Sequence, residues 1–236
     1  MVAWGMRPLV AAFALACTLL MPAGAPAAAP QQTATGIALD APWKATVYAF
    51  AQATFKHPAW GWQHSERDYR LAVEVAQGDR LAVDTDVLFA AAFLHDMAAF
   101  PPYEKKGMEH GDRAAETSEA VLRAAGFPMR KYPAVQAAER GHMYYSNAGT
   151  VVEAIALHDA DSLDFLGSIG ALRILALTGE DKPDATRAIK TLPGFVKDIP
   201  PRLITATAKR MGAERAAELT RLLDQVQTET YGGAAT

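Results

Sequence analysis

A single cysteine, Cys17, stands in the 236 residues, and it lies within an apolar N-terminal run. Neither a disulfide framework nor a cysteine-ligated metal is therefore available to the rest of the chain. Charge of one sign is also scarce: 23 lysines and arginines against 26 aspartates and glutamates give a formal net charge of -3. Gripping a phosphate backbone needs a basic surplus, so nucleic acid is not an expected partner. The N-terminal apolar run is shorter than the ~20 residues that span a bilayer. No Walker-type loop, dinucleotide fingerprint or G-x-S-x-G elbow occurs, which leaves nucleotide cofactors and serine-hydrolase chemistry without a foothold. Alternating strand patterns are missing as well.

The N-terminus has the parts of a secretory signal: Arg7 as the positive region, apolar Leu9 to Met21, then an alanine- and proline-rich stretch from Pro22 to Pro30. Ala25-Pro26-Ala27 suits an A-x-A site, which predicts residues 1–27 as a signal peptide cleaved after Ala27. The mature protein is then periplasmic or secreted, with no stable membrane association. Ala14-Leu15-Ala16-Cys17 forms a weak lipobox, so a lipoprotein anchored through Cys17 is the second reading. Residues 28–40 are small and polar without periodicity and are expected to form a flexible tether.

From residue 41 to 231 the apolar spacing is helical, predicting one all-α domain. Helices are expected over Pro42 to Phe55, His64 to Ala76, Asp84 to Ala99, Asp112 to Ala125 and Pro133 to Tyr144. A long apolar stretch runs from Thr150 to Leu177, followed by Asp184 to Thr191, Pro201 to Met211 and Ala213 to Thr230. Asp84 is a candidate N-cap, and Gly126 with Pro128 supplies a stop.

Imidazole and carboxylate together are the side chains that hold divalent transition metals. His95-Asp96 closes the apolar run Val87 to Leu94, and a carboxylate at the end of a core segment needs a cation or hydrogen bonds to offset its desolvation. Trp62-Gln63-His64-Ser65-Glu66-Arg67, then Leu94-His95-Asp96, then Asp159-Ala160-Asp161-Ser162-Leu163-Asp164 follow in that order. This ordered set resembles the signature of the HD-domain metal-dependent phosphohydrolase superfamily, over about Trp60 to Leu177. The resemblance implies an all-α HD-type fold with His64, His95, Asp96 and Asp161 as metal ligands. Asp161 is preferred to Asp159 on the family form alone, because periodicity places Asp159 with Ile155 and Leu163, and Asp161 with Leu157 and Phe165, on equally apolar faces. Gly61 departs from the aspartate that many relatives carry there.

His110 and His142 stand where two-metal members of the superfamily complete a second site bridged by the doublet aspartate. The other reading, a solvated His110 and a hydrogen-bonded core His142, stays open beside it. His57 is expected to be a surface residue and His158 to orient a neighbour. Arg67, one turn after His64, is the candidate for neutralising substrate phosphate, with Lys105, Lys106, Arg113 and Arg140 also near the ligand positions.

The implied activity is hydrolysis of a small phosphate ester or nucleotide by water activated on one or two divalent ions, with Asp96 orienting the water. Manganese, iron, zinc, cobalt and nickel are not distinguished. Two alternatives stand: a two-iron oxygenase, whose His, His-Asp, His, His, Asp set this chain also fills, and a non-catalytic binding protein that keeps the metal.

Overall fold

Helices form wherever the sequence repeats its apolar residues every three to four positions. The computed structural model describes residues 31–178 and 184–235. The expected signal peptide, its cleavage point and Cys17 lie outside the described residues. Within them run α1 (Pro42–Thr54), α2 (Trp62–Gly78), α3 (Thr85–Leu94), α4 (His110–Ala125), α5 (Tyr132–Gly141), α6 (Val152–Asp164), α7 (Gly167–Thr178), α8 (Ala185–Asp198) and α9 (Ala206–Glu229). The fold is all-α, and no strand forms among the described residues.

The expected start and stop signals act as the chemistry predicts. Asp84 accepts the Asp86 N–H at the head of α3. Glu109 does the same for Gly111 in α4, which ends on Gly126 at a φ of 85°. Glycine reaches that left-handed conformation without a Cβ clash.

α3 is the innermost element, with every residue from Val87 to Leu94 buried. Burying each leucine, valine or phenylalanine contributes about 1.5–3 kcal/mol, so the helix is held by its surroundings on all sides. α2 and α5 pack against it, α6 lies along both of them, and α4 lies along α5. Trp43 of α1 meets Phe89 and Phe127 edge-on, closing one end. α7, α8 and α9 form a second cluster joined to the first through α2 and α6.

Five segments depart from expectation, one of them α8, which runs through Pro193 to Asp198 instead of stopping at Thr191. Order begins before residue 41: Ile37 and Leu39 are buried, and the N–H groups of Ala34 and Thr35 donate to the Glu66 carboxylate at 3.2 and 3.0 Å. Those bonds hold the described part of the expected tether against α2. α3 ends at Leu94 instead of Ala99, and a 3₁₀ turn takes Met97–Ala99; Pro101 and Pro102 then keep the helix from resuming. The stretch Thr150 to Leu177 splits at Phe165, where Gly167 adopts a φ of 70°. The last two expected helices are one, α9, preceded by a 3₁₀ turn at Pro200–Arg202. Gly212 lies inside it, where any Cβ would run into the Leu203 side chain.

Candidate metal centre

α2, α3, α4, α5 and α6 each deliver ligand-type side chains to one buried volume. His64 comes from the first turn of α2, His95-Asp96 from the point where α3 breaks, and Asp161 from the last turn of α6. His110 opens α4 and His142 caps α5. His64, His95, His142 and Asp161 are each at most 1% exposed.

The hydrogen bonds on the far side of each ring set the tautomers. His95 Nδ1 lies 2.9 Å from the Ala92 carbonyl and His142 Nδ1 lies 2.7 Å from the Glu139 carbonyl. A carbonyl only accepts, so both Nδ1 atoms carry protons, and in the neutral ring that a metal ligand requires each Nε2 is left with a lone pair. His64 Nδ1 donates to Asp164 at 2.8 Å, and His110 Nδ1 donates to Glu109 at 2.7 Å.

All four Nε2 atoms then converge on Asp96. Its Oδ2 is 3.6 Å from His64 and 3.4 Å from His95; its Oδ1 is 3.3 Å from His110 and 3.6 Å from His142. Asp161 adds Oδ1 at 3.2 Å from His64 Nε2. Lone pairs of imidazole and carboxylate facing one another in a buried space repel, unless cations lie among them. Two overlapping groups meet the geometric requirement: His64, Asp68, His95 and Asp161, and His95, Asp96 and His142, have ligand atoms within 4.8 Å of one another.

The same crowding governs the protonation of the polypeptide itself. Burial lowers His95, but the Asp96 carboxylate more than offsets it and pushes the ring up to about 10. Burial and the neighbouring His95 push His142 down to about 4. Asp96 is held well below the usual carboxylate range by His95 and His110, against its burial.

Asp159 and Asp161, which periodicity could not separate, have different surroundings. Asp159 accepts the N–H groups of Ile204 and Thr205, both at 2.8 Å, and so fixes the approach to α9. Asp161 faces the histidines. His158 Nδ1 donates to the Gly141 carbonyl, and His57 stacks on Trp60, so both lie apart from the cluster.

Arg67 does not face the volume in which a substrate would meet the ligands. Its Nε and Nη2 donate to Asp164 at 2.9 Å each, an ion pair that holds the carboxylate behind His64. Lys105 and Lys106 are exposed, Arg113 donates to the Tyr103 carbonyl, and Arg140 lies near Asp112 at the surface. The cation beside the ligands is Arg173 of α7, unnoticed in the sequence and only 4% exposed. Its Nη1 is 3.1 Å from Asp164 and its Nη2 3.1 Å from His64 Nε2. The guanidinium stacks 4.4 Å over Phe165. Arg173 is the one charged residue in the apolar α7 sequence, the signal that would have revealed it. A cavity of about 220 Å³ opens here, lined by Asp96, His110, Asp161 and Arg173 together with Trp60, Phe165 and Leu177.

Residues 61–166 match the family described as the HD domain. The chain carries an HD domain. Solved structures share its fold. A Lactobacillus plantarum protein is 22% identical and aligns over 79% of this chain and 96% of its own, with a TM-score of 0.62. Bacillus subtilis YpgQ in complex with ADP is 18% identical over 79% and 97%, with a TM-score of 0.61. A protein described as a predicted HD superfamily hydrolase, from an uncultured Thermotogales bacterium, is 23% identical over 78% and 90%, with a TM-score of 0.56. No curated protein matches the chain in sequence. The fold is thus the one these solved structures share, and its His/Asp cluster could hold a divalent metal.

Proposed function

We propose that this HD domain is a two-metal phosphohydrolase acting on a small phosphate ester. The observation that carries the proposal is Asp96, whose two carboxylate oxygens each face a different pair of imidazole Nε2 atoms. His64, His95 and Asp161 would hold one ion, His110 and His142 the other, with Asp96 between them. Divalent ions in these positions supply a Lewis acid for phosphoryl oxygens and bring the pKa of coordinated water toward neutrality.

The protein's own groups do the rest. Arg173 presents a fixed positive charge at the cavity and neutralises substrate phosphate, the role expected of Arg67. Asp161 Oδ2 is buried without a hydrogen-bond partner and lies where it can accept a proton from the attacking water. Trp60, Phe165 and Leu177 cover the organic part of the ester and exclude water. A cavity of about 220 Å³ is smaller than the ~300–1,000 Å³ typical of ligand sites, which favours a compact ester over a nucleotide. That YpgQ was solved with ADP supports a phosphorylated ligand in general.

The two-iron oxygenase remains the second reading, because the full set of six ligand-type residues is brought together. One experiment separates the two. The purified protein, supplied with manganese and no oxygen, is assayed on a panel of phosphate esters and nucleotides. Phosphate release that vanishes in Asp161→Ala is the expected result. No anaerobic turnover, with iron-dependent oxygen uptake on some substrate, would overturn it.

Export is proposed on the sequence alone. No helix among the described residues is long and apolar enough to cross a membrane. N-terminal sequencing of the secreted or periplasmic fraction should begin at Ala28; an intact N-terminus on cytoplasmic protein would refute export.

A further inference from the structure

Asp68 stands on α2 one turn after His64, and none of the roles above uses it. Its side chain is completely buried, and neither carboxylate oxygen has a hydrogen-bond partner. Oδ2 lies 3.0 Å from His64 Nε2 and 3.5 Å from His95 Nε2. Nδ1 of each ring already donates, to Asp164 or to the Ala92 carbonyl, so when the rings are neutral, as metal ligands must be, each Nε2 turns a lone pair toward Asp68. A buried carboxylate facing lone pairs lacks the donor that would offset its desolvation. Asp164 has Arg67 and His64 as donors and an ion pair with Arg173, and Glu139 has Ser118 on one of its oxygens, whereas Asp68 has a donor on neither. Asp68 has only the convergent ligand atoms of His64, His95 and Asp161, all within 4.8 Å of one another.

We propose that Asp68 is itself a ligand of the first metal ion, completing a His64, Asp68, His95 and Asp161 quartet. Asp96 is then released to bridge toward the His110 and His142 side. The inference rests on the metal-centre reading above and adds a third carboxylate to the centre. The extra negative charge strengthens the hold on a divalent cation and suits an ion that accepts oxygen ligands readily, such as manganese.

The test uses the full-length protein, stripped with a chelator and titrated with manganese(II) alone, comparing wild type with Asp68→Asn and Asp68→Ser. Bound manganese and the thermal midpoint are read with and without the ion. The variants should bind the first ion at least ~10-fold more weakly, as loss of a ligand-shell group does. Stripped of metal they should melt no lower than wild type, because an unpaired buried carboxylate has been removed. The rise in midpoint on adding manganese should shrink. Wild-type manganese affinity in both variants would overturn the assignment and leave the two-metal reading standing. Failure of both variants to fold, or a stripped midpoint well below wild type, would also overturn it by showing that the carboxylate serves structure. Wild type that binds no manganese would overturn this inference and the parent reading together.

Discussion

The two sides of the centre are built differently. Around His64 the ring and the acid behind it are buried and braced: Asp164 holds the ring, and buried Arg173 and half-buried Arg67 hold Asp164. Around His110 the support is a single surface carboxylate, Glu109, and the ring itself opens to the cavity with 27% of its side chain exposed. The contrast separates holding from exchanging. A ligand fixed by a chain of buried charges keeps its geometry without the ion, because neither ring nor carboxylate can rotate without breaking a paired charge. A ligand at a helix N-terminus beside solvent can shift as substrate and product come and go. The braced side is therefore expected to bind its ion tightly, and the open side to bind the ion that exchanges.

The largest effect should come from Asp161→Ala on the braced side. Bound manganese should fall at the tight position and phosphate release should drop to background, read by elemental analysis and a phosphate assay on the same preparation. Retention of both would remove the braced side from the chemistry.

Asp164→Ala comes next, acting through His64 without touching the ion. The ring loses its Nδ1 acceptor while Arg67 and Arg173 lose theirs, so affinity at the tight position should weaken by about 10–100-fold. An unchanged titration would show that the bracing is ornamental to metal binding.

His110→Ala should leave the tight ion in place and remove the exchanging one. Stoichiometry should fall from two to one, with activity reduced but measurable. Loss of both ions would erase the distinction between the two sides.

The smallest effect concerns Glu139, whose backbone carbonyl orients His142 and whose buried carboxyl accepts from Ser118. Burial pushes its carboxyl from an ordinary 4.5 up to about 8. A raised folded-state value means that its share of stability is complete below about 4.5 and is lost as pH rises through about 8. Glu139→Gln cannot ionise, so its thermal midpoint relative to wild type should climb between pH 6 and pH 9. A constant difference across that range would show that the folded carboxyl is already ionised at pH 6 and is not raised by its burial.

Parts of this picture are readable without coordinates because they depend on local spacing. The apolar period of α3, the Asp84 cap and the Gly126 stop follow from residues within a turn of one another. His95-Asp96 stands out because two ionisable groups end a segment made for the core. The ordered histidines and aspartates carry the family resemblance, and through it six of the seven ligand-type residues that the fold brings together. What failed was also local in cause. Gly212 reads as a helix break because glycine costs a helix about 1 kcal/mol in isolation, and its tolerance depends on Leu203 nine residues away in sequence. Asp68 was passed over although it shares a helix face with His64, since an acid one turn from a histidine is ordinary on a solvated face.

By itself the sequence determined the all-helical class, the cap and stop positions and the HD doublet, because each depends on residue type and short spacing, and through the family resemblance it named six candidate ligands. Only the tertiary structure decided which aspartate of α6 faces the histidines, that Arg67 braces Asp164 while Arg173 faces the cavity, and that Asp68 is buried without a donor. Those outcomes depend on which helix packs against which. A carboxylate's role follows from what lies across from it, and here that is the Ile204 and Thr205 backbone for Asp159 but His64, 97 positions earlier in sequence, for Asp161.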